Sequence, residues 1–149
     1  MGLRLAALAV VTLSVAACHQ AHHGQRAAAA IVGAWVVRIP DAPFPLHMFV
    51  FHSDGTVVQS NPDAGDPNTS DSNLMGVWRA AGDEYLGRLA EITADRASHQ
   101  FATRVEIEFR LKVSGDRFDG TASATVFDAS GRQVKAPVQV SMQGERVQP

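Results

Sequence analysis

Residues 101–113 read FATRVEIEFRLKV, and this stretch decides the fold class. Apolar or β-branched residues occupy every second position: Phe101, Thr103, Val105, Ile107, Phe109, Leu111 and Val113. Small or charged residues occupy the positions between them: Ala102, Arg104, Glu106, Glu108, Arg110 and Lys112. Because successive side chains of a strand point to opposite faces, this alternation predicts a long β-strand with one buried face and one face in water.

The flanking sequence continues the same pattern. Residues 114–116 (SGD) and 128–131 (DASG) are typical turns, and they separate this strand from predicted strands at residues 118–127 and 134–147. Short turns between consecutive strands predict a meander within one antiparallel sheet. Further strand-like runs, rich in β-branched and aromatic residues, cover residues 31–39, 46–52, 56–60 and 75–80.

Residues 84–97 (EYLGRLAEITADRA) fit either a strand or a helix. Leu86, Leu89 and Ala90 have helical spacing, but Gly87 costs a helix about 1 kcal/mol relative to alanine, which favours the strand. Counting this segment gives about eight strands. That number closes into an antiparallel up-and-down β-barrel with room for side chains or one small ligand.

The N-terminus has the composition of an export signal. Arg4 supplies a positive charge, residues 5–15 are largely apolar, and small residues follow. An apolar helix of this length reaches about 20 Å, which is too short to cross a bilayer core of about 30 Å. We therefore predict that residues 1–17 form a signal peptide that is removed after export.

The sequence Val15-Ala16-Ala17-Cys18 resembles the bacterial lipobox, the motif that precedes an acylated cysteine. The resemblance implies that Cys18 becomes the N-terminus, carries a fatty-acyl group such as palmitate, and anchors the exported protein to the bacterial membrane. His19 is not the aspartate that retains lipoproteins in the inner membrane, so the outer membrane facing the periplasm is favoured in a Gram-negative cell. The alternative is an ordinary secretory signal with Cys18 as a bystander. Residues 18–30, polar and then alanine-rich, fit a flexible tether.

The rest of the composition limits the function classes. The 149 residues suggest one domain, at residues 31–149, and a net charge of −2 gives no basic footprint for nucleic acid. A single cysteine excludes an intramolecular disulfide. Phosphate-binding, dinucleotide-binding, zinc-binding and nucleophile motifs are all absent from the sequence, so we predict no cofactor and no metal, and we assign no catalytic residue.

Gly33-Ala34-Trp35 in the first strand and Gly144-Glu145-Arg146-Val147 in the last are similar to the calycin signature of lipocalins. The resemblance implies a lipocalin-like barrel in which Arg146 packs over Trp35, both as structural residues, in a cation–π contact worth about 0.5–2 kcal/mol. The chain lacks the paired cysteines and the C-terminal helix of typical lipocalins. The barrels of allene oxide cyclases and dirigent proteins have a similar strand pattern.

Small residues at alternate positions of the next-to-last strand, Gly120, Ala122 and Ala124, leave space on the inward face. This space is either filled by large side chains, as close packing requires, or open as an apolar cavity. On the second interpretation we predict that a small hydrophobic ligand is bound by Phe49, Phe51, Trp78, Tyr85, Phe109, Ala122 and Ala124.

Two other features are candidate sites. Residues 60–73 (SNPDAGDPNTSDSN) concentrate the oxygen ligands that Ca²⁺ prefers, but they lack EF-hand spacing and fit equally a loop built on Asx-turns or a lid over the barrel. His52 and His99 fall at predicted strand ends, where pairing with Glu91 or Asp95 would create an acid–base site.

The sequence therefore favours a membrane-anchored protein that binds a small hydrophobic molecule. The alternatives are a cofactor-independent isomerase or cyclase of the allene oxide cyclase type, with Glu91 or His99 as its buried titratable group, and a module that binds proteins of the cell envelope. An apolar dead-end cavity would favour binding, a buried His–carboxylate pair would favour the enzyme, and a filled core with an open sheet edge would favour interaction.

Overall fold

The computed structural model describes residues 30–42, 44–60 and 66–149. Residues 1–29, which include the predicted signal peptide, the lipobox, Cys18 and all but the last residue of the tether, lie outside the described residues. The described part of the chain contains no helix that is long and apolar enough to span a membrane. Its strands are β1 (Gly33–Arg38), β2 (Leu46–Phe51), β3 (Thr56–Ser60), β4 (Thr69–Asp71), β5 (Leu74–Ala81), β6 (Glu84–Asp95), β7 (Phe101–Ser114), β8 (Arg117–Phe127) and β9 (Val138–Arg146).

The sheet closes on itself as an antiparallel up-and-down barrel. Strands β1, β2, β3, β5, β6, β7, β8 and β9 pair in that order, and β9 returns to pair with β1. The short strand β4 pairs with β6 beyond the end of β5, so β4 and β5 act as one interrupted wall strand. The predicted fold class, an all-β lipocalin-like barrel of about eight strands, is confirmed.

The individual strands follow the predicted alternation closely. Residues 84–95 are strand rather than helix, and they pair with β5 on one side and β7 on the other. The predicted meander of the last three strands is present as β7–β8–β9. The last strand begins at Val138 instead of residue 134. Gln133 forms only an isolated bridge with Phe127, and continuous pairing with β8 starts at Val138, just after Pro137, which has no N–H to donate to a ladder.

One end of the barrel is filled by large side chains. Trp35 is fully buried and its ring centroid lies 5.1 Å from that of Phe118. Phe51 contacts Trp78 edge-on, and Trp78 contacts Tyr85 in the same way at 5.8 Å. Such tilted and edge-to-face arrangements are those that aromatic rings prefer. We call this the closed end.

The opposite end is not filled. Phe109, Leu111 and Met142 on the inward face near the closed end are 4%, 1% and 2% exposed. Further along the same inward faces Ile107 is only half-buried, and Val138 is 59% exposed. The inward face stays apolar while its burial decreases, so the barrel interior opens to solvent at this end, which we call the open end.

Candidate functional site

An apolar cavity of about 410 Å³ occupies the open half of the barrel. Its wall includes a ladder of paired residues that runs across four strands, from Leu89 through Ile107 and Ala124 to Val138. The neighbouring inward positions Val105, Val126 and Val140 continue this surface. A concave, mostly apolar site with a few polar groups is the usual form of a small-molecule pocket.

Small residues on β8 create the space. Ala122 faces Phe109 on one side and Val140 on the other, and Ala124 faces Ile107 and Val138 in the same register. Both alanines line the cavity. Phe109 itself fits because its paired residue on β6 is Gly87, where a Cβ atom would lie 2.1 Å from the Phe109 ring. The large and small residues together divide the barrel into a filled half and an open half.

The seven residues that the sequence suggested as ligand contacts separate into two groups. Phe49, Phe109, Ala122 and Ala124 line the cavity. Phe51, Trp78 and Tyr85 belong to the aromatic cluster of the closed end, where the Trp78 Nε1–H donates to the backbone oxygens of His52 and Thr56. Large side chains therefore fill the interior at the closed end, and an apolar cavity is open in the other half.

Trp35 and Arg146 form the contact that the calycin resemblance implies. The Arg146 guanidinium lies 4.2 Å from the centre of the Trp35 ring, and it donates to the backbone oxygens of Val32 and Ala30. The indole Nε1–H of Trp35 donates to the Ile31 oxygen at 2.8 Å. The pair therefore covers the closed end, and its hydrogen bonds hold the segment before β1 over that end of the barrel.

Two buried polar side chains interrupt the apolar wall. His47 on β2 and Gln59 on β3 are 7% and 4% exposed, and both line the cavity. The Gln59 amide nitrogen lies 3.0 Å from His47 Nδ1. Burial lowers the pKa of His47, and a hydrogen bond to the Phe44 backbone raises it by a smaller amount. Burial thus favours the neutral form of the imidazole.

Charged side chains also line the cavity. Among the described lining residues, Asp41, Asp71 and Glu91 are acidic, and Lys135 is basic. The described lining is thus mostly apolar, with a polar pair at His47 and Gln59 and a few charged side chains.

The histidines that the sequence suggested for acid–base chemistry lie at opposite ends of the barrel. His52 is exposed in the β2–β3 turn beside Trp78, at the closed end, whereas His99 is exposed in the β6–β7 turn at the open end. The suggested pair of His99 and Asp95 does lie together in the exposed β6–β7 turn, where the His99 amide donates to the Asp95 backbone oxygen. Hydrogen bonds from Ser98 and the Ala97 amide lower the pKa of Asp95, and the nearby His99 contributes to this. Glu91 lines the cavity, but His52 is too far along the barrel to join it.

The Asp- and Asn-rich segment is only partly described, because residues 61–65 lie outside the described residues. Asp66 accepts hydrogen bonds from the backbone amides of Asn68 and Thr69 at 2.7 and 3.1 Å, which is the pattern of an Asx-turn. These bonds lower the pKa of Asp66. Residues 69–71 then form β4, a strand the sequence did not predict. The described residues contain no group of three or more His, Cys, Asp or Glu side chains placed to hold a metal ion.

A second, shallower groove of about 540 Å³ runs along the outer wall over β5–β9. Arg88 there is ion-paired with Glu108, and Arg110 lies 2.5 Å from Glu84. These ladders keep the wall charged and solvated, as the alternation of residues 101–113 predicts. The groove offers no apolar surface comparable to the cavity.

His47 and Gln59 are the site residues that the sequence did not single out for the cavity. His47 lies on the same face of β2 as Phe49 and Phe51, and Gln59 lies on the same face of β3 as Val57. Strand alternation alone could therefore have predicted that both side chains point inward. That they contact each other depends on the β2–β3 register, in which Phe49 is opposite Gln59. Comparison with known protein families, characterised proteins and solved structures found no match for this chain.

Proposed function

We propose that this protein binds a small hydrophobic molecule in the open half of its barrel. The observation that carries the proposal is the loss of burial along a continuous apolar inward face, from Leu111 at 1% exposed to Val138 at 59%. Leaving such surface in water costs roughly 25 cal/mol per Å², and a ligand that covers it recovers this free energy. The filled closed end makes the cavity a dead end.

The site favours binding over the alternatives that the sequence left open. The enzyme alternative calls for a buried His–carboxylate pair. The buried histidine of the cavity is bonded to the amide of Gln59, and Glu91 lines the cavity but is only half-buried. The barrel walls pair all the way around, so the described wall strands do not form the open sheet edge that an interaction module would use.

The binding proposal is tested by filling the cavity from one strand. Ala124→Phe places a ring in the lumen, and Ser123→Phe places the same ring on the outer face of the same strand. The wild-type protein and both variants are purified from the cell envelope and analysed by native mass spectrometry. We expect a small molecule to accompany the wild type and Ser123→Phe, and to be absent from Ala124→Phe.

An empty wild-type protein contradicts the proposal. So does a bound molecule that Ala124→Phe retains as well as the wild type. Circular dichroism of Ala124→Phe verifies that the barrel is intact, so a loss of binding is assigned to the filled cavity.

We further propose that the protein is exported and held at the bacterial membrane through an acyl group on Cys18. The support is the lipobox-like sequence Val15-Ala16-Ala17-Cys18 and the position of the only cysteine within it. About a dozen residues between Cys18 and the barrel would reach roughly 20 Å as a flexible coil. The ligands first met by a barrel so placed are membrane lipids and their derivatives.

Acylation is tested by growing the producing bacterium with labelled palmitate and isolating the protein. We expect the wild type to carry label and to sediment with membranes, and Cys18→Ala to do neither. Label in Cys18→Ala, or an unlabelled wild type found free in the periplasm, contradicts the anchor.

A further inference from the structure

The outer wall of the barrel has two halves of different chemistry. Outward positions of β6, β7 and β8 carry many acidic and basic side chains, among them the ion pair of Arg88 with Glu108. On β1, β2, β3 and β5, all of which lie within the described residues, no outward position is acidic and only Arg38 and Arg79 are charged. The apolar outward residues of these four strands form a surface that we call the apolar face: Ala34, Val36, Leu46, Met48, Val50, Val58, Met75 and Val77.

Strand register joins these residues into one continuous surface. One row of directly paired residues crosses all four strands, through Ala34, Val50, Val58 and Met75. In the next row Val36 lies opposite Met48. Met75 and Val77 are 63% and 61% exposed, and Val36, Leu46 and Met48 are also exposed. A contiguous apolar surface of this kind marks a site of contact with a protein or a membrane.

The size of the apolar face favours a membrane over a second copy of the chain. Four strands with a spacing of about 4.8 Å, and at most three outward residues on each, give a surface of roughly 15 Å by 15 Å. A stable dimer buries about 800 Å² on each partner, which is more than this surface offers. A membrane contact can be smaller, because a protein that is already tethered to the bilayer meets it at a high effective concentration.

The charge at the borders of the face suits anionic lipid. Arg38 ends β1, and Arg79 lies near the end of β5 on the opposite border. Both are exposed, and neither side chain has an ion-pair partner among the described residues. Glu145 of β9 lies beside Val36, but its other neighbour across the sheet is Arg117. Arginine stems cover apolar surface while their guanidinium groups stay in a polar layer, where lipid phosphates are strong acceptors.

We propose that the apolar face lies against an anionic lipid bilayer, with its apolar side chains at the boundary between headgroups and acyl chains and with Arg38 and Arg79 on lipid phosphates. The chain that leads from the predicted acylation site at Cys18 enters the barrel at β1, which is a strand of this face. The barrel axis then runs along the membrane, which keeps the mouth of the cavity close to the lipid surface. This inference adds a second membrane contact to the proposed anchor and does not depend on the cavity.

The first test asks which side of the barrel meets the bilayer in the absence of the acyl group. Cys18→Ala leaves the full chain without a cysteine, and either Met75→Cys or Thr121→Cys is then added to carry a nitroxide label. Thr121 is the matched control, because it is an exposed outward position on β8, across the barrel from the apolar face. The vesicles contain equal amounts of phosphatidylcholine and phosphatidylglycerol, and label accessibility is measured by electron paramagnetic resonance. With vesicles, the label at position 75 should gain collisions with oxygen and lose collisions with a water-soluble nickel complex, whereas the label at position 121 should stay in water.

The second test measures affinity for the same vesicles in the Cys18→Ala chain. Met75→Glu should weaken binding about 10-fold, because it replaces a buried apolar contact with a charge. Thr121→Glu adds the same charge on the far wall and should leave binding nearly unchanged, because the Debye length at physiological salt is about 8 Å. Arg38→Gln and Arg79→Gln should each weaken binding about 5-fold, and neither should alter binding to phosphatidylcholine alone. Circular dichroism verifies that each variant keeps the barrel.

Three outcomes overturn the inference. The first is a label at position 75 that stays in water on vesicle-bound protein, or equal losses for Met75→Glu and Thr121→Glu. The second is burial of that label without vesicles as the protein concentration rises, which would assign the apolar face to a second copy of the chain. The third is a Cys18→Ala chain that binds no vesicles. None of these results bears on the acyl anchor or the cavity, which labelled palmitate and native mass spectrometry test separately.

Discussion

Arg146 offers the sharpest test of how the closed end is held together. Its guanidinium lies over the ring of the fully buried Trp35, and a cation–π contact of this kind contributes about 0.5–2 kcal/mol. Its hydrogen bonds to the Val32 and Ala30 oxygens add about 0.5–1.5 kcal/mol each. The ion pair with Asp116 is exposed on the aspartate side and adds little. We therefore expect Arg146→Ala to lower the free energy of unfolding by about 1.5–5 kcal/mol.

The assay is urea unfolding followed by tryptophan fluorescence, with Arg146→Lys and Arg88→Ala as comparisons. Arg146→Lys keeps the charge but loses the planar, forked donor, and it should recover about half of the loss. Arg88 is an arginine of the outer wall whose side chain is 60% exposed, and removing its ion pair should cost under about 1 kcal/mol. Equal losses for Arg146→Ala and Arg88→Ala would refute this account of the closed end.

Three further predictions concern packing and titration. A Cβ atom on Gly144 would lie 2.1 Å from the Phe118 ring, so Gly144→Ala should lower the free energy of unfolding by about 1–3 kcal/mol in urea; an unchanged midpoint would contradict the packing. Burial lowers the pKa of His47, so the unfolded chain binds a proton that the folded protein does not. Stability should then fall as the pH drops below 6.5, and His47→Gln should flatten that slope in pH-dependent urea titrations; identical slopes would contradict it. The Ser130 hydroxyl and the Arg132 amide bring the pKa of Asp128 to about 2, and Ser130→Ala should raise it toward 3.8 in a carboxyl NMR titration; a midpoint near 3.8 in the wild type would contradict the turn geometry.

The barrel was predictable because strand alternation is a local property of the sequence. The alternation of residues 101–113 fixed the face of β7, and the turns on either side fixed its neighbours. Residues 84–95 were harder to assign from the sequence, since their apolar residues fit both helical and strand spacing. Pairing with β5 and β7 along nearly the whole length of β6 settles this segment as strand.

What alternation does not give is position along the barrel axis. Phe51 and Phe49 share one face of β2, yet Phe51 joins the closed end and Phe49 lines the cavity. The difference arises from what the neighbouring strands present at each level, which follows from register and not from any one segment. His52 and His99 lie at opposite ends for a different reason: three wall strands, β3, β5 and β6, separate the β2–β3 turn from the β6–β7 turn in the up-and-down order.

The short strand β4 was not predicted, because residues 69–71 (TSD) are too few and too polar to show a pattern of their own. Their strand conformation comes from pairing with residues 93–95 of β6. Arg96 stabilises this strand because its Nε–H donates to the backbone oxygens of Thr69 and Asp66. Tertiary contacts therefore decide this segment.

Methyl NMR during titration with an apolar probe such as acetylnaphthalene is the most direct test of the binding proposal, because it shows where in the barrel a ligand lies. Binding in the open half should shift the methyl groups of Ile107 and Val140, since both line the cavity. Leu111 at the closed end and Val77 on the outer wall should stay unchanged. Saturable shifts at Val77 with none at Ile107 would place the ligand outside the barrel and overturn the proposal that the cavity binds it.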